Sequence, residues 1–433
     1  MRLGLIFIWL LARAMGADYD PNEVIARAKA KVLENVRSVP NYTCVETVSR
    51  EYFEPLGATL PRACEILLEQ RQHPTLDMGL HLYSRDRLRL DVTMASRGEV
   101  FSWAGASHFD DGGIDHVIRS GPMSSGSFAG YLTAVFKTDA KKLTYEGIQA
   151  EGNRFLMQYS FRIPLADSHY RVKVRSSWEA IEYSGSVDVD PETADVVRMR
   201  ITTGVMPAAS GLCQASSKMD FTRVQIGETQ VLLPSNSRSR YAYPTAEEVE
   251  TNTVFANWRE YRGESTLRFG PYDGSTDTVT KSNTPLSIFV PVGVPFTMAL
   301  TSAIAIDTAA AGDPFNARLA DSIKDFRGRI VAPKGTPVEG HIVRVQSYTH
   351  PVESLVVLRP EALRIHGQRV TFNALRDWGR AMLENKRKGK KGIEIRVPEK
   401  GEWSTSSFRF SGEHVIVPVG YVSEWRTTYH TAN

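Results

Sequence analysis

The amino-acid sequence predicts an α+β protein, mostly antiparallel β, in two domains of which the second is a smaller all-β barrel or sandwich. Three observations predict this. One helix-period segment is followed by a long series of period-two segments; a polar, turn-rich stretch then interrupts the chain; a second run of short β segments follows it. At 433 residues the length suits two domains.

Residues 1–16 are read as a leader. Arg2 supplies a positive start, Leu3 to Ala12 (LGLIFIWLLA) is apolar, and Ala14-Met15-Gly16 offers small residues for cleavage after Gly16. The apolar run is short for a membrane span, which needs ~20 residues. Asp20 to Val39 follows with helical spacing: Val24, Ala28, Val32 and Val36 share one face, and Asp20-Pro21 supplies a cap and a first-turn proline. Tyr42 to Arg50 and Leu80 to Val92 alternate as half-buried strands. Phe155 to Ile163, Tyr170 to Val174, Ile181 to Val189, Val196 to Thr202 and Met219 to Ile226 continue the series. Phe128 to Val135 is predicted as a short helix.

Gly270 to Pro285 (GPYDGSTDTVTKSNTP) has little apolar content, and residues 271–285 are read as a linker. Domain boundaries of 17–270 and 286–433 follow. In the second part, Val290 to Ile306, Arg329 to Ala332, Gly340 to Ser347, Leu355 to Leu358, Ala362 to Ile365, Val370 to Ala374 and Val415 to Val417 are predicted strands. Glu384 to Lys391 (ENKRKGKK) holds five basic residues, read as a solvated loop or a contact with anionic lipid or another acidic surface.

Composition narrows the function classes. With 52 basic and 49 acidic residues the net charge is +3, too small an excess for a dedicated nucleic-acid binder. No Cys-x-x-Cys or His-Glu-x-x-His spacing points to a metal, and no phosphate loop or dinucleotide fingerprint points to a cofactor. The densest polar cluster, His108 to His116 (HFDDGGIDH), is split by Gly112 and Gly113 and reads as a solvated loop. Gly-x-Ser-x-Gly is absent, so no catalytic residues are assigned and no enzyme is expected. Three cysteines in an exported chain imply one bridge; Cys44–Cys64 is the expected pair, with Cys213 bonded to either as the rival.

The leading helix, Asn41-Tyr42-Thr43-Cys44-Val45-Glu46 and the meander of long strands resemble the lipoprotein-carrier fold of the LolA and RseB families over roughly residues 20–270. So does Tyr183 to Thr193 (YSGSVDVDPET) followed by Val196-Val197-Arg198, and so does Leu232-Leu233-Pro234. The resemblance implies a curved half-barrel sheet with covering helices. The second part carries Gly312 to Leu319 and Ile330 to Ile342, a Pro-Lys-Gly-x-x-Val-x-Gly stretch. It resembles the β-barrel domain of the outer-membrane channel component of type IV secretion systems. The two halves together resemble a type found among envelope proteins of soil bacteria.

These resemblances imply an exported protein, periplasmic or associated with the outer membrane, that binds a lipid, a lipoprotein acyl group or an envelope protein partner. A structural or sensory scaffold and a hydrolase are the alternatives. Trp103, Phe128, Tyr131, Leu132, Phe136, Phe155, Met157 and Phe161 are the candidate ligand-binding residues: they are either the core beneath the sheet or the lining of an apolar cavity.

Overall fold

The computed structural model describes residues 19–57, 63–72, 79–95, 98–106, 109, 114–118, 121–123, 128–138, 143–152, 154–168, 170–261, 289–377 and 406–429. The leader at 1–16, the linker at 271–285 and the basic segment at 384–391 lie outside the described residues. The chain divides into two compact units, one drawn from residues 1–82, 92–100 and 110–260, the other from 83–91, 101–109 and 261–433. Residues 83–91 and 101–109, assigned by sequence to the first domain, therefore group with the second unit.

The first unit is an open, curved antiparallel sheet with covering helices. Helix α1 (Pro21–Ser38) starts where the Asp20 carboxylate accepts from the Asn22 N–H at 2.9 Å, and it buries Val24, Ala28 and Val32. A spacing of four places those residues on one stripe, which is why the sequence reveals the helix. Strand β1 (Tyr42–Pro55) follows, then a short helix α2 (Cys64–Gln72) that the sequence does not reveal, and strands β2 (Leu80–Ala95) and β3 (Gly98–Trp103). A one-turn helix α3 (Ile114–Val117) and helix α4 (Phe128–Thr138) lead into β4 (Thr144–Glu151) and β5 (Arg154–Ile163). A small hairpin pairs β6 (Arg171–Val174) with β7 (Ser177–Ala180). The sheet continues through β8 (Tyr183–Val189), β9 (Val196–Thr203), β10 (Gln214–Ile226), β11 (Thr229–Ala242) and β12 (Glu248–Glu260).

Pairing runs β4–β5–β8–β9–β10–β11–β12–β1, antiparallel throughout. Beyond β1, the Thr93 hydroxyl donates to the Tyr42 carbonyl at 3.2 Å. The β8–β9 turn is built by Asp190, whose carboxylate accepts from the Glu192 and Thr193 N–H groups at 2.9 and 3.0 Å. Aspartate forms this local bond readily, and a turn results.

The expected Cys44–Cys64 bridge is corrected by the structure: Cys64 bonds to Cys213. Cys44 is a buried thiol on β1, facing the same side as Glu46 and Val48. Cys64 opens α2, where it packs with Leu67, Cys213, Ala242 and Ala246.

The second unit is antiparallel β among its described residues. Its strands are β13 (Pro295–Leu300), β14 (Ile304–Ala305), β15 (Pro314–Leu319), β16 (Ile323–Lys324), β17 (Ile330–Ala332), β18 (Pro337–Thr349), β19 (Val352–Ile365), β20 (Gln368–Thr371), β21 (Asn373–Arg376), β22 (Ser407–Ser411), β23 (Ile416–Val417) and β24 (Val422–Thr428). Residues 84–86 pair with β18 within this unit. Trp425, Met298, Phe296, Phe315 and Leu363 are fully buried in its core.

The Pro-Lys-Gly-x-x-Val-x-Gly stretch has a physical basis. Gly335 adopts φ +85° in the turn before β18, a conformation that glycine tolerates without steric cost. Gly340 pairs with Pro360 at a register shift, and a Cβ there would lie 2.2 Å from the Arg359 carbonyl oxygen and 2.7 Å from the Phe315 ring. Proline cannot donate to the ladder, which locates the irregularity. Leu355–Leu358 and Ala362–Ile365 are accordingly one strand passing through Pro360. Gly340→Ala is expected to destabilise this unit by roughly 2–4 kcal/mol, because backbone and a packed ring must both move. An unchanged thermal midpoint would contradict that close approach.

Candidate functional site

The strand registers assemble one face of the first unit's sheet, row by row. One row crosses Arg50 (β1), Thr251 (β12), Ser239 (β11), Ser217 (β10), Ile201 (β9), Gly185 (β8) and Phe161 (β5). The adjacent row crosses Val48, Thr253, Ser237, Met219, Met199, Val187 and Tyr159 in the same strand order. Because side chains alternate across a strand, all of these point to one side. That side passes from hydroxyl-bearing and charged residues at β1, β12 and β11 to aliphatic and aromatic residues at β9, β8 and β5.

Helices cover this face. The Tyr159 hydroxyl donates to the Pro21 carbonyl at 2.8 Å, which seats the N-terminus of α1 on it. Asn35, near the other end of α1, donates to the Leu232 carbonyl at 2.9 Å and accepts from the Leu232 N–H at 2.7 Å. Between them, Arg27 and Lys31 donate to carbonyls of the β8–β9 turn. Helix α4 reaches the same side through a chain of rings: Tyr131 lies 5.4 Å from Tyr170, and Tyr170 lies 5.7 Å from Tyr183. The opposite face of β8–β10 carries an ion-pair ladder in which Arg198 meets Asp188, Asp220 and Glu151.

The predicted ligand residues fall into separate places. Leu132, Phe136, Met157 and Phe161 are buried, each at most 4% exposed. Tyr131 is half-buried against Tyr170. The Phe128 side chain lies outside what the structure describes. Two placements correct the expectation of a single lining. Phe155 begins β5, where the strand is not yet covered, and is 44% exposed. Trp103 belongs to the second unit, where it stacks on His341 with ring centroids 6.4 Å apart.

Sequence reasoning missed the polar part of the face. Glu46, Arg50, Thr251, Ser237 and Ser239 are all buried, and the Ser217 and Ser239 hydroxyls meet at 2.8 Å. Glu46 shares its corner with Tyr42 and with Glu99 of β3. Burial, reinforced by the nearby Glu99 charge, pushes the Glu46 carboxyl well above the usual carboxylate range. Burial alone pushes Glu99 up to about 8, and its Oε2 is buried without a hydrogen-bond partner. The Tyr42 phenol is raised by the same burial and by the Glu99 charge. In both carboxyls desolvation favours the protonated form. Further along, Arg71 and Arg240 both pair with buried Glu248. Among the described residues no group of three or more His, Cys, Asp or Glu side chains could hold a metal ion.

No protein-family model matches the chain, and no curated protein matches it. Solved structures with some likeness include a LolA superfamily protein from Nitrosomonas europaea, at 9% identity and TM-score 0.24, covering 57% of this chain and 96% of that one. A putative outer membrane lipoprotein-sorting protein domain from Vibrio parahaemolyticus matches at 8% identity and TM-score 0.25, covering 57% and 95%. A DUF1329 family protein from Desulfovibrio piger matches at 9% identity and TM-score 0.25, covering 56% and 95%.

Proposed function

We propose that this is an exported, non-catalytic protein of the cell envelope whose first unit binds an amphiphile, either a lipid or the acyl group of a lipoprotein. The observation that carries the reading is the graded face. An acyl chain fits the aliphatic end formed by Ile201, Met199, Val187 and Phe161, and a polar headgroup fits the hydroxyl-lined end formed by Thr251, Ser237 and Ser239. A sheet face serving only as core has no need of buried Glu46 and Arg50, since burying such groups costs free energy that apolar side chains do not. Each methylene of a bound chain would contribute ~0.8 kcal/mol, set against ordering costs and the displacement of α4.

A scaffold reading is favoured by one observation: the face is already covered, with Met199, Val187 and Phe136 fully buried at the apolar end and Thr251, Ser237 and Ser239 buried at the polar end. The readings differ in what α4 does. If α4 occupies the chain's place, weakening its docking raises the fraction of molecules open to ligand and tightens apparent binding in proportion. Delipidated protein is expected to bind a fluorescent fatty-acid analogue saturably, and Phe136→Ala is expected to tighten that binding by about tenfold. Folded protein that shows no saturable binding favours the scaffold. We assign the second unit, on the same proposal, to contacts with other envelope components.

A further inference from the structure

The second unit presents an aromatic side chain on a rigid, basic turn. Strands β16 and β17 form a two-stranded hairpin whose base is locked in the core, with Ile323 and Ala332 fully buried. Its tip points the other way: Phe326 is 81% exposed and Ile330 60% exposed. The tip is ordered from within. The Asp325 carboxylate accepts from the Arg327 N–H at 2.9 Å and the Arg329 N–H at 2.8 Å, and it pairs with the Arg329 guanidinium at 2.7 Å. The Gly328 N–H closes the turn on the Asp325 carbonyl at 2.9 Å. The one acidic group of the tip is thus spent on its own backbone and on Arg329. Lys324 and Arg327 are left on the surface around Phe326, while Arg329, also exposed, is held by Asp325.

We propose that this hairpin tip docks onto an anionic lipid surface, Phe326 entering the headgroup–acyl boundary while Lys324 and Arg327 engage lipid phosphates. An exposed Phe gains nothing from water, and an aromatic ring beside guanidinium groups suits the boundary layer of a bilayer. The tip is ordered before contact, so its docking carries little ordering cost. The basic ring complements an anionic surface. A small convex tip also suits a soft interface better than the pocketed surface of a protein partner.

The test is co-sedimentation of the full chain with vesicles. Binding is expected to vesicles of equal parts phosphatidylglycerol and phosphatidylcholine, to weaken with added salt, and to be weak with phosphatidylcholine alone. Phe326→Ser is expected to reduce the anionic-vesicle affinity by about tenfold, and Lys324→Ser with Arg327→Ser to remove the salt sensitivity. Both variants alter exposed positions, and an unchanged thermal midpoint verifies their folding. Fatty-acid binding in solution should be unaffected by Phe326→Ser, which separates this surface from the ligand face of the first unit. Absence of binding to anionic vesicles, or binding that Phe326→Ser leaves unchanged, overturns the proposal; an acidic protein partner would then be the remaining occupant.

Discussion

Reducing the Cys64–Cys213 bridge, or replacing Cys213 by Ser, is expected to destabilise the first unit by roughly 3–5 kcal/mol. The two cysteines are 149 residues apart, so the bridge removes a large part of the unfolded chain's freedom. It also fixes α2, a nine-residue helix too short to persist alone in water. Without the bridge, α2 keeps the packing of Leu67 against Ala242 and Ala246 and the ion pair between Arg71 and Glu248. Peptide mapping under non-reducing conditions should recover Cys64 linked to Cys213, with Cys44 as a thiol that alkylates only on unfolding. A peptide linking Cys44 to either partner would contradict the structure, and a reductant-insensitive denaturation midpoint would contradict the energetics.

Glu99→Gln is expected to stabilise the protein at alkaline pH and to change little at pH 5. The sign follows from the raised carboxyl. Its ordinary value is 4.5 and burial moves it up to about 8, so the folded state holds a proton that the unfolded state gives up across that interval. Stability from this group is complete below the unfolded value and is lost as pH rises through the folded one. Above pH 8 the parent must bury an ion or strain to hydrate it, a cost of roughly 3–5 kcal/mol. The neutral amide escapes that cost, and Glu46, relieved of a neighbouring charge, ionises more easily. Urea denaturation at pH 5 and pH 9 checks this. Parallel pH dependences for parent and variant would show that Glu99 is hydrated in the folded protein.

The strand series was legible because β1, β2, β5, β8 and β9 alternate, and α1 because its four-residue spacing is regular. The bridge was not legible: connectivity depends on which strands become neighbours, and nearness in sequence favoured Cys44 although Cys44 faces the side of Glu46 on β1. Helix α2 escaped because its apolar residues Ile66, Leu67 and Leu68 are consecutive rather than spaced along one face, and of these only Leu67 is buried. The candidate site was half legible. Leu132, Phe136, Met157 and Phe161 stand out in the sequence as large apolar groups, and all four are buried. Thr251, Ser237 and Ser239 do not stand out in this way, because they come together only when β11 and β12 are placed in register. Trp103 was grouped with these residues by proximity in sequence, yet residues 101–109 fold with the second unit.

The central claim is that a chain-bearing ligand lies along the graded face of the first unit. Photo-crosslinking with a fatty acid carrying a diazirine near its methyl end locates that end directly. The label should appear on peptides from β5, β8 and β9 and from α4, compete with unlabelled fatty acid, and increase in Phe136→Ala. Label confined to the second unit, or scattered over the surface and insensitive to competitor, would contradict it.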